Sequence, residues 1–140
     1  MYAALWSSNL HLAFRGKSAM LAGRPAEAIP FLELALRHER RDAAHNRSNM
    51  TADLGGAYAQ HGHLDQAVSL LDQALTIAVA AGLKSCIERV KQIRDRELGR
   101  YALDALVQGL DERIQVAHGA GDGSATGQAA HQRQGRRRLR

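Results

Sequence analysis

One stretch of this chain occurs twice. AGRPAEAIPFLELALRH (Ala22 to His38) returns 39 residues later as HGHLDQAVSLLDQALTI (His61 to Ile77), with Gly23 on Gly62, Ala28 on Ala67, Leu32 on Leu71 and Ala35 on Ala74. Self-similarity at a period of about 20–50 residues marks units that cannot bury their apolar faces alone and must stack on neighbours. The sequence therefore constrains shape first and chemistry second.

Composition sharpens the choice of unit. Hydrophobic residues make up 45% of the 140 residues, yet aromatics only 4%. Such a mixture favours helices packed closely through small side chains over sheets built from β-branched and aromatic ones. Six helical segments follow from the spacing. The first runs from about Ala4 to Leu21 and closes at Gly23. The second starts at Pro25, carries Ile29, Leu32 and Leu36 on one face, tolerates Pro30 early in its length, and ends in RHERR. Proline suits the first helical turn, where no amide donor is needed, and glycine suits the residue after a helix. Asp42 is positioned to cap a third helix that reaches about Gln60. A fourth, with Asp65 in its first turn, continues to Ala81-Gly82. The fifth carries Ile87, Val90, Ile93 and Leu98 until Gly99. The sixth places Leu103, Leu106, Leu110 and Ile114 on one side.

Beyond Ala117 there is almost nothing to bury, and residues 118–140 read as a disordered basic tail following a helical domain over 1–117. That tail holds Arg133, Arg136, Arg137, Arg138 and Arg140 against Asp122, so most of the formal charge of +5 lies there and the body is near neutral. Cys86 is the only cysteine, which excludes an intrachain disulfide and fits a reducing compartment. The N-terminus lacks both a charged signal-peptide region and an apolar run long enough to span a membrane, so a cytoplasmic location is expected and no membrane partner.

Paired in order, the segments resemble tetratricopeptide repeats. Leu54 and Gly55 match the adjacent large and small positions of the first helix in such a unit, Tyr58 the aromatic, and Ala67, Leu71 and Ala74 the second helix. The earlier unit matches through Gly16, Ala28, Leu32 and Ala35, with Arg15 and Ala19 off the pattern. In the last unit Val90 and Ile93 fit and Arg94 replaces the small residue, as in a degenerate cap. The long period and the Arg/Ala/Gly/Leu bias resemble the C-terminal repeat regions of actinobacterial helix-turn-helix regulators. The resemblance covers roughly Leu10 to Ile114. It implies an all-α, short right-handed solenoid of about three antiparallel helix pairs, and a non-catalytic module that binds a helical or extended peptide, as the sensor part of a transcription regulator would.

In that family the concave surface is lined by the first helix of each pair. The corresponding positions are Ala13, Lys17, Met20, Leu21, Asn49, Ala52, Gly56, Ala59 and Gln60, a small and mostly apolar groove in which Lys17 supplies the only charge. Gly55 is expected where two helices cross closely. Gly56 is expected to lack a packing partner, as a weak point of the helix or as a place for a ligand to approach the backbone.

Other chemistry finds little footing. His61 and His63 sit in a turn without a third metal ligand, and no arrangement that would make Cys86 a reactive thiol surrounds it in sequence. No nucleophile-base arrangement or phosphate loop is present, so neither enzymatic activity nor a cofactor is expected. A second reading has the five tail arginines neutralising nucleic-acid phosphates, with no aromatic among them to stack on bases. A third treats the chain as a truncated regulator remnant.

Overall fold

The computed structural model describes the backbone of residues 2–119 and the side chains of residues 8–119. Among the described residues the structure is all-helical: α1 (Tyr2–Leu21), α2 (Pro25–His38), α3 (Ala44–Gln60), α4 (Leu64–Ala80), α5 (Lys84–Glu97), a short 3-10 turn (Gly99–Tyr101) and α6 (residues 105–119). The arginine tail, Arg133 to Arg140, lies outside the described residues.

Three turns are built alike, and each rests on one glycine. Gly23, Gly62 and Gly82 have φ of 73°, 87° and 67°, a left-handed conformation that costs a residue bearing Cβ considerably more. After each glycine the chain bonds back into the helix it leaves. Arg24 N donates to Ala19 O at 2.9 Å, His63 N to Tyr58 O at 2.9 Å, and Leu83 N to Ala78 O at 2.8 Å. The glycine N–H itself donates three residues back, to Met20, Ala59 and Val79, which completes the paired bonds of a Schellman end. α2 does not end this way. It stops at His38, earlier than the RHERR run implied, with Glu39 extended.

Asp42 is not the cap of α3. The cap position falls to Ala43 without a side-chain bond, and Asp42 pairs instead with Arg40 at 2.8 Å. Pro30 lies inside an uninterrupted α2.

Each helix packs on its successor through α5, and α1, α3 and α5 also touch in sequence, so α3 lies at the centre of the bundle. Its whole run from Met50 to Ala57 is buried. The crossings depend on absent side chains. A Cβ on Gly16 would lie 2.5 Å from Leu32 Cγ, and one on Gly55 would lie 3.0 Å from Leu71 Cγ and 3.2 Å from the Ala67 carbonyl. Ala28, Leu32, Ala67 and Leu71 are fully buried opposite them. Small residues thus let the backbones approach until dispersion contacts form along the crossing. Ser48 supports the same approach, its hydroxyl donating to Ala74 O at 2.9 Å inside the core.

α6 departs from the expected face. Its buried stripe is Val107, Leu110, Ile114 and Ala117, whereas Leu103 precedes the helix at 89% exposure and Leu106 is exposed. Both stripes fit a helical period, but the helix begins only at residue 105, which leaves Leu103 in the turn. The helix also includes His118 and Gly119, which sequence reading had placed in the tail.

Candidate functional site

α1, α3 and α5 converge on one face, where two adjoining cavities share Arg96 and Glu97. The first, about 220 Å³, is lined by Lys17, Met20, Leu21, Asp53, Arg89 and Arg96, among others. The second, about 410 Å³, is lined by Ala59, Gln60, Arg96, Glu97, Gly99 and Arg100.

The floor is a buried ion pair. Asp53 stands within the apolar run of α3 and is only 4% exposed. Arg89 of α5 grips it with three hydrogen bonds, Nη2 to Oδ1 at 2.8 Å and to Oδ2 at 2.9 Å, and Nε to Oδ1 at 3.1 Å. Desolvation raises the Asp53 pKa above its ordinary 3.8, against the opposing pull of the Arg89 charge and hydrogen bonds and a smaller one from Lys17.

Gln60 closes one end. Its Nε2 donates to Met20 O and to Glu97 Oε2, both at 2.7 Å, while its Oε1 is buried without a protein partner among the described residues. Arg96 Nη2 donates to Leu21 O at 3.0 Å, which draws α5 against the end of α1.

Lys17, Met20 and Leu21 line the first cavity, and Ala59 and Gln60 the second. Several of the positions expected to line an apolar groove offer little open surface. Ala52 is fully buried, Met20 is 1% and Ala59 2% exposed, because their surfaces are used in packing α1, α3 and α5 together. Asn49 is half-buried, with Oδ1 unpartnered, and Ala13 is half-buried on α1.

Gly56 does have a packing partner, contrary to expectation. A Cβ there would stand 3.0 Å from Ile93 Cγ2 and 3.2 Å from Met20 Sδ, so its bareness admits side chains from two helices at once.

Sequence reasoning missed Asp53, Arg89, Arg96 and Glu97. The available signal was the seven-residue separation of Arg89 and Arg96, which places both on one face of α5. A lone carboxylate within the apolar stretch of α3 was a second.

His61 and His63 are exposed and stacked with ring centroids 5.1 Å apart. No group of three potential metal ligands occurs among the described residues. Cys86 is buried, its thiol 3.8 Å from the His45 carbonyl. None of the described helices is long and apolar enough to cross a membrane.

No family model, curated protein or solved structure matches this chain.

Proposed function

We propose that the chain is a non-catalytic protein-interaction module of tetratricopeptide-like architecture, holding an extended, acidic peptide along the face made by α1, α3 and α5. The order of helix contacts supports the architecture, since α1 and α3 each touch both their own partner and the next first helix. The observation that carries the ligand class is the charge on that face. Lys17, Arg89, Arg96 and Arg100 stand against only Asp53 and Glu97; Asp53 holds Arg89, and Glu97 accepts from Gln60 with Arg96 Nε 4.0 Å away. The cationic surplus attracts carboxylates.

The binding chemistry differs from that of an apolar groove. Affinity should fall with salt, as for other exposed charge contacts. Selection from a random peptide display library tests the reading, followed by mapping of the selected peptide on the amide spectrum. Acidic peptides that shift Lys17, Gln60 and Arg96 are expected, with binding lost in Lys17→Glu and Arg96→Glu. Selected peptides that are apolar, or that bind both variants unchanged, would overturn it.

A further inference from the structure

A further groove, of about 560 Å³, lies between α4 and α6. Leu75, Thr76, Val79 and Val116 form its walls, and Val79 and Val116 remain 44% and 73% exposed. Asp72, Glu112 and Arg113 form the rim, where Arg113 is engaged by Asp72 and Glu112 faces solvent. None of these residues belongs to the peptide-binding face.

At the other end of the helix order, α1 presents an apolar ridge. Phe14 is 67% exposed, the largest aromatic surface among the described side chains left open, with half-buried Leu10 one turn before it. Their four-residue spacing places them on one side of the helix. The flanking groups are basic: His11 is exposed, and Arg15 lies with its guanidinium 4.5 Å from the Phe31 ring centroid. α1 has no acidic residue anywhere along its length.

We infer that α1 of one copy of this chain docks, through Phe14 and Leu10, into the α4/α6 groove of a second copy. The match is one of charge and size. An acid-free helix with basic flanks meets a rim whose unpaired group is a carboxylate, and the cavity is large enough for a phenylalanyl ring with a neighbouring leucine. A chain cannot satisfy its own groove, because its α1 is fixed against α2 and α3 and the groove belongs to α4 and α6. The C-terminal segment is a poorer occupant, since Leu139 is the only large apolar residue after Gly119. Two different surfaces in contact make a head-to-tail association, which extends into a chain or closes into a ring.

Sedimentation velocity across a concentration series tests the inference on the full chain. The wild type should form species larger than a monomer, and Phe14→Glu and Val116→Glu should each be monomeric with helicity retained. Mixed in equal amounts, the two variants should form a 1:1 heterodimer and nothing larger, because each supplies the surface that the other lacks. Val79→Glu in place of Val116→Glu should give the same result, which guards against a variant that fails to fold. A monomeric wild type would overturn the inference. So would self-association that survives both substitutions, or a mixture that stays monomeric.

Discussion

The first two helix pairs and the last hold themselves together by different means. Between α1 and α2, and again between α3 and α4, the helices meet through bare positions, Gly16 against Leu32 and Gly55 against Leu71 and Ala67. At the corresponding place in the last pair stands Arg94. It makes a two-pronged ion pair with Asp111 of α6, Nε to Oδ1 at 2.6 Å and Nη2 to Oδ2 at 2.7 Å. His118 Nε2 lies 3.2 Å from Glu88 Oε2 further along the same crossing, and Arg113 of α6 reaches Asp72 on α4. Tight approach and charge pairing are thus alternative solutions to one architectural problem. The glycine solution serves the crossings of α1 with α2 and of α3 with α4, and the charge solution serves α5 with α6, where the ion-paired side chains stay partly exposed.

The contrast can be tested where the two solutions meet. Arg89→Met should be the most damaging substitution, about 3–5 kcal/mol in denaturant unfolding, because Asp53 would be left buried without its partner. Replacing both residues with apolar ones should recover most of that loss. A harmless Arg89→Met would mean that the charge-linked half needs no charges.

Next in size, Gly16→Ala should destabilise by about 1–3 kcal/mol despite the gain in helix propensity, since Leu32 Cγ has no room to retreat. Denaturant melts of that variant that match the wild type would remove the case for tight approach. Asp111→Asn should cost only about 1 kcal/mol, and less in high salt, because the Asp111 side chain is more than one-third exposed.

Titration of the Asp53 carboxyl followed by carbon NMR sharpens the picture without mutation. Its midpoint should lie above 3.8. The folded state then holds that proton more tightly than the unfolded chain, so the Asp53 contribution to stability is greatest below 3.8 and declines as pH rises through the folded midpoint. A midpoint below 3.8 would mean that the Arg89 charge outweighs burial.

Much of the scaffold was legible. Gly23, Pro25 and Gly62 announced their turns through backbone chemistry alone, and the Gly55, Ala67 and Leu71 positions announced a close crossing that the structure contains. Capping was less so, because Asp42 found a nearer partner in Arg40 than in the helix start. The candidate site was hidden for a different reason. Met20, Ala52 and Gly56 look available when α1 and α3 are read as separate helices, and only the third helix laid across them shows that they are consumed. Asp53 and Arg89 are 36 residues apart in sequence, and no local pattern states that they will meet. A helix face is read from spacing, but what covers it depends on which distant helix comes to rest there.

The clasp from α5 onto α3 also bears on how the molecule would yield to force. A stack held only by nested glycines could peel from its end, one hairpin after another. Pulling α5 away here must tear a guanidinium from a carboxylate sealed within the middle of the bundle. α5 is thereby riveted to the innermost helix, and once α6 has come away the remaining helices should rupture together.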